Sequence, residues 1–224
     1  MKSILDSKAK AKEIITNVDE LHDWSQEIDP VKEGKLAQQI ILELKATMRE
    51  NNLQYLTAPQ IGHKRRIFCI RFGKTDIRTF VNPVVSNNSN FQMSREECSS
   101  LPDRMFIRPR FGKVEVFFTT PLGKVETTKL FGMAAIVFQH CMDHLDGLLL
   151  EDIGFEIDED FDKLTDDERA ELLKMYAESL DIAEKELNKD IEQDEETKQI
   201  ADAAKFIQSV KSGETILDTN DNNN

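Results

Sequence analysis

Two histidines stand four residues apart, His140 and His144, in the stretch Gln139-His140-Cys141-Met142-Asp143-His144-Leu145-Asp146-Gly147. On a helix this spacing puts both imidazoles on one face, about 5–6 Å apart at Cβ, where they can share one metal ion. The same spacing also suits two histidines satisfied on a helix face, and the pair alone leaves both readings open. A third ligand must come from elsewhere in the chain. Cys98, in Arg95-Glu96-Glu97-Cys98-Ser99-Ser100, is the candidate. One thiolate with two imidazoles makes a three-ligand catalytic set with a position left for water. Cys98 is equally readable as a small buried residue.

These residues need elements to carry them. Residues 132–145 are apolar without alternation and read as a buried helix ended by Gly147. Leu36, Ile40, Ile41, Leu44 and Met48 recur at helical spacing, which predicts a helix over 30–52. Strands are expected at 66–72, 78–85, 113–120 and 124–130, the last two joined by a turn at Pro121-Leu122-Gly123. Cys98 then falls in a loop just past a strand. Strands followed by helices in this order predict an α+β fold.

The composition changes near residue 155. Before it lie five of the six prolines in 59–121, all four histidines and all three cysteines. After it the chain is acidic, free of proline and helical in pattern. The expected organisation is a domain over 1–155, an acidic helical extension over 156–212 and a disordered tail over 213–224. Thr165 and Glu168 form a capping-box pattern. Leu172, Leu173, Tyr176, Leu180, Ala183 and Leu187 follow as an apolar stripe. A second helical stretch carries Ile200, Ala203, Ala204, Ile207 and Val210.

The 224 residues carry 29 Lys and Arg against 42 Asp and Glu, a net charge of −13. That charge disfavours nucleic acid and anionic membrane surfaces as partners. No apolar run reaches the length of a membrane span. Three cysteines cannot all pair, and free thiols or metal ligands fit a reducing, cytoplasmic compartment. Glu178 to Glu196 holds nine acidic residues against Lys185 and Lys189. The extension over 156–212 therefore suits packing onto the domain, or docking of a protein partner with a basic surface, rather than RNA.

Three separated segments, in order, resemble the peptide deformylase family. Residues 53–60, Leu-Gln-Tyr-Leu-Thr-Ala-Pro-Gln, resemble its motif G-x-G-L-A-A-P-Q. Residues 96–100, Glu-Glu-Cys-Ser-Ser, resemble E-G-C-L-S, and residues 139–147 resemble Q-H-E-x-D-H-L-x-G. The resemblance implies an α+β deformylase-like fold with a central metal-binding helix. It implies a divalent metal, Fe2+ or Zn2+, on Cys98, His140 and His144, and N-formylmethionyl peptides as substrate. It assigns Gln60 and the Ser99 backbone N–H to the formyl oxyanion, and Tyr55, Leu56 and Arg110 to substrate binding.

Four departures gather on the same motifs. Cys141 stands where the family has the glutamate that moves protons. Leu53 and Tyr55 replace glycines, and Tyr55 is expected to crowd the cleft. Glu97 replaces a glycine beside the metal cysteine. Ile136 replaces a frequent arginine, which leaves Glu96 without that partner. Three readings follow. The chain has lost the usual catalysis and acts through binding or structure, or it still deformylates with Glu97 or a metal-bound hydroxide compensating, or Cys141 joins a closed four-ligand zinc site. The 100° turn between successive helical residues disfavours the last.

Overall fold

The structure, a computed structural model, describes residues 9–176 and 178. It divides into two compact units, one running to Lys163 and one beginning at Leu164. The first unit is built on a six-stranded sheet. Its strands are β1 (Tyr55–Thr57), β2 (Ile67–Phe72), β3 (Asp76–Cys98), β4 (Leu101–Thr119), β5 (Val125–Phe131) and β6 (Phe155–Ile157). The order is β1-β2-β3-β4-β5, every pair is antiparallel, and β6 adds to β4. Two long helices are α1 (Gly34–Glu50) and α2 (Met133–Leu145). A 3-10 turn at Pro59–Ile61 follows β1.

Strand β2 explains how both helices find a core. Its residues alternate, Ile67 and Cys69 toward one apolar cluster, Phe68 and Ile70 toward another. The first cluster receives Ile40, Ile41, Leu44 and Met48 of α1. The second receives Ala135, Phe138, Cys141 and Leu145 of α2, with Phe80, Val114 and Val116 from the sheet. A strand covered on both faces reads as a continuous apolar run, as the Ile67–Phe72 sequence does.

Helix α2 begins and ends where the sequence predicts, within a residue. Helix α1 starts at Gly34 rather than 30, because the Asp29 carboxylate accepts the backbone N–H groups of Val31 and Lys32 and holds a turn there. The larger difference is the hairpin. Strands expected at 78–85 and 113–120 are the outer parts of β3 and β4, which pair along most of their length. Cys98 is therefore the last residue of β3, not a loop residue, and the chain turns at Ser99 and Ser100. The stretch 86–93 hides its strand because no residue in it is buried, so no two-residue alternation is written into it.

The first unit runs past the compositional change near 155, since β6 pairs with Met105, Phe106 and Ile107 of β4. In the second unit Thr165 and Glu168 make the expected reciprocal cap: the Thr165 N–H donates to Glu168 Oε2 at 2.8 Å, and the Glu168 N–H to Thr165 Oγ1 at 3.3 Å. A helix follows through 176 with Leu172, Leu173 and Tyr176 half-buried. The stripe residues Leu180, Ala183 and Leu187, the stretch 200–210 and the tail 213–224 lie outside the described residues. No helix among the described residues is long and apolar enough to cross a membrane.

The end of α2 is pinned where the site requires it. Ser25 N–H donates to Leu145 O at 2.8 Å, and Arg66 meets Asp146 at 2.6 Å. Gly147 has φ +73°, and a Cβ there would lie 2.4 Å from the His22 carbonyl oxygen. Replacing Gly147 with alanine should cost at least about 1–3 kcal/mol from the left-handed backbone alone. The urea midpoint should fall accordingly; an unchanged midpoint would show that this turn does not hold α2.

Candidate metal centre

Helix α2 places His140 and His144 one turn apart, and the end of β3 brings Cys98 against them. Cys98 Sγ lies 3.2 Å from His144 Nε2, which lies 3.2 Å from His140 Nε2. All three donor atoms fall within 4.8 Å of one another, and the three residues are buried. Four donors about 2.0–2.1 Å from an ion in a tetrahedron stand about 3.3 Å apart, so these spacings fit one cation. The chemistry of the set agrees. Burial opposes the Cys98 thiolate, yet the His144 and His140 imidazoles outweigh it and bring the thiol down to about 5. A proton can bridge one pair of these atoms; three atoms facing one centre call for a metal.

The histidine orientation comes from a buried carboxylate. His140 Nδ1 sits 2.9 Å from Glu96 Oε2, so Nδ1 donates and Nε2 turns its lone pair to the donor group. Glu96 is held in turn by Arg110, through Nε to Oε1 at 2.7 Å and Nη2 to Oε2 at 2.9 Å. Arg110 Nη1 also meets Asp143 Oδ2 of α2 at 2.7 Å. Burial alone would raise the Glu96 carboxyl; His140 and Arg110 overcome that and hold it at about 2.

This network bears on two expectations. Arg110, expected at the substrate, is 4% exposed, and its guanidinium is engaged by Glu96 and Asp143. Glu96 is not left without a partner by Ile136, because Arg110 reaches it across the β3–β4 pairing. The contact is unreadable without the hairpin register. Asp143 was missed although a signal existed: it shares the face of His140 and His144 at i+3.

Beside the donor group opens a cleft of about 1050 Å³, whose wall includes Cys98, Ser99, His140 and Tyr55 together with Leu53, Ile136 and Val137. Tyr55 stands in it as expected. Its ring meets His140 edge-on at 4.9 Å and its hydroxyl donates to the Glu97 carbonyl oxygen at 2.5 Å. Leu56 does not face the cleft. Alternation along β1 sends it into the α1 cluster, where it is fully buried.

Gln60 is fully buried in the turn after β1. Its Oε1 accepts from the Thr57 backbone N–H at 3.0 Å, which directs Nε2 toward Ser99 Oγ and Ser100 Oγ, both at 3.1 Å, with Cys98 Sγ at 3.8 Å. Ser100 is a further residue of this group that the sequence did not single out. Cys141 is also fully buried, but on the apolar side of α2 in the cluster of Phe68, Phe80 and Phe138. Burial and then the Cys98 sulfur push its thiol well above the ordinary range. It is not among the converging donors, which overturns the reading of a four-ligand site with Cys141.

Two outcomes check the centre. His144→Ala should abolish stoichiometric metal in elemental analysis; undiminished metal would overturn the ligand set. Arg110→Leu leaves Glu96 buried without its cation and should cost about 3–5 kcal/mol in stability. It should also weaken metal binding about 10–100-fold by loosening His140, measured by competition with a chelator.

Residues 11–154 match the family model described as polypeptide deformylase. A peptide deformylase of Orientia tsutsugamushi (strain Boryong) is 31% identical over 142 residues, covering 57% of this chain and 77% of that protein. Among solved structures, a probable peptide deformylase from Synechococcus phage S-SSM7 is similar with a TM-score of 0.56 and 29% identity, covering 63% of this chain and 99% of that one. The peptide deformylase from Thermus thermophilus gives a TM-score of 0.55 at 26% identity, covering 79% of this chain and 98% of that one. With the matched family model spanning well over half of its length, the chain belongs to the polypeptide deformylase family.

Proposed function

We propose that the chain binds a divalent metal, Fe2+ or Zn2+, through Cys98, His140 and His144, receives N-formylmethionyl peptides in the adjacent cleft, and removes the formyl group with impaired catalysis. The observation that carries the impairment is the place of Cys141. The position after His140 holds a thiol embedded in the apolar cluster under α2. Glu97 lines the cleft beside the centre, but among the described residues no carboxylate oxygen joins the three donor atoms. A metal bound here supplies Lewis-acid polarisation of the formyl carbonyl and of water. The remaining work falls to the chain.

Strand β1 pairs only with β2, so it is an edge strand whose other side can accept an extended peptide. Charge developing on the formyl oxygen needs donors aimed at it. Gln60 is oriented for this by Thr57, but its amide hydrogens are taken up by Ser99 and Ser100. Ser99 is the member of that group on the cleft wall. We assign its backbone N–H to the oxyanion; its hydroxyl accepts from Gln60 Nε2 at 3.1 Å. In this reading the thiol of Cys141, turned into the apolar cluster, does not take a proton from water or return one to the departing amine. Losing a group that does so costs about 10²–10⁴-fold.

Supporting a protein-partner role, the second unit carries a capped helix with exposed acidic residues Asp166, Asp167 and Glu171. A basic protein surface is the partner this charge suits, and nucleic acid or an anionic membrane is not.

The metal-loaded, anaerobically handled protein should release formate from a formyl-Met peptide about 10²–10⁴-fold more slowly than a relative with glutamate at this position. Equal rates would overturn the impairment. Cys141→Glu should raise the rate by less than about tenfold while Tyr55 still fills the cleft; a full rescue would show that the thiol is the sole defect.

A further inference from the structure

We propose that the Tyr55 hydroxyl is the fourth donor of the metal centre and fills the position that a three-ligand site leaves to water. The proposal rests on the metal reading above and goes beyond it. Tyr55 Oη lies 3.4 Å from His140 Nε2, the same nitrogen that faces Cys98 and His144. That spacing matches the two 3.2 Å separations within the donor group and the edge of about 3.3 Å expected around a tetrahedral ion.

The contact is not explained as an ordinary hydrogen bond. It is longer than the usual N–H···O range, and the hydrogens needed to make it are engaged elsewhere. The phenol O–H donates to the Glu97 carbonyl oxygen at 2.5 Å. The His140 ring donates from Nδ1 to Glu96. Oη and Nε2 therefore present lone pairs to each other, an arrangement that a shared cation makes favourable. Ring packing accounts for where the aromatic plane lies, edge-on to His140, but not for the approach of the hydroxyl to the His140 Nε2 atom. The phenol O–H is spent on the Glu97 carbonyl, which leaves the oxygen lone pairs available to the centre. Tyr55 thus closes the metal site as well as narrowing the cleft, and a substrate carbonyl must displace it to reach the cation.

The test loads the full-length protein with Co2+, whose visible spectrum reports donor number and type, and then titrates azide as a small exogenous ligand. Tyr55→Phe keeps the ring and removes only the oxygen; Tyr55→Leu serves if the phenylalanine variant does not fold. The wild type should bind one Co2+ and take up azide poorly. Tyr55→Phe should alter the cobalt spectrum and bind azide at least about tenfold more tightly. Stoichiometric cobalt in both proteins with identical spectra and azide affinities overturns the proposal and leaves the metal centre standing. Failure of the wild type to bind cobalt at all overturns both.

Discussion

The arrangement of the first unit depends on one almost fully buried carboxylate. Glu96 accepts from Arg110 on one side and from His140 on the other, and Arg110 continues to Asp143. Three elements, β3, β4 and α2, therefore meet in one charged cluster inside the protein. A buried charge is tolerable only while every partner stays in place, since removing one strands the rest in a poor solvent. The cluster thus demands a fixed register in the long hairpin, where Gln92 opposes Arg110 and Glu96 opposes Phe106. With the register set, Cys98 arrives at the hairpin turn beside the two imidazoles. The metal donors are consequences of that alignment.

Helix α2 serves two environments at once. His140, Asp143 and His144 form its polar side, while Phe138, Cys141 and Leu145 recur at i, i+3 and i+7 on its apolar side. A thiol at 141 conforms to the apolar side, whereas a carboxylate there must reach around the helix toward the cation. The replacement removes a group whose burial costs free energy unless it is paired. Cys98 and Cys141 carry the same thiol on opposite errands. One is drawn toward the thiolate by neighbouring imidazoles, the other held neutral by apolar surroundings.

Much of the site is legible in the sequence alone. Three motifs in order identify the family, and local periodicity locates both long helices and the shared face of His140 and His144. What stays hidden depends on partners distant in the chain. Arg110 reads as a substrate group because nothing near it in sequence reveals Glu96 across the ladder. Leu56 and Tyr55 are neighbours with opposite fates, and only the edge position of β1 assigns one to the core and the other to the cleft. The stretch 86–93 of the hairpin escapes notice because, with no buried residue, it has no dry face to impose alternation.

The amino-acid order by itself determined which atoms can bind a metal and which helix presents two of them, because a 3.6-residue repeat is a local property of the backbone. It also determined that a cysteine, not a carboxylate, follows His140, since that is a matter of residue identity. Tertiary structure decided the rest: that Cys98 closes the set, that Arg110 supports His140, that Cys141 faces the core, and that the Tyr55 hydroxyl stands beside His140 Nε2. Each of those follows from strand register and from which side of a strand or helix meets solvent, quantities set by contacts across the whole chain.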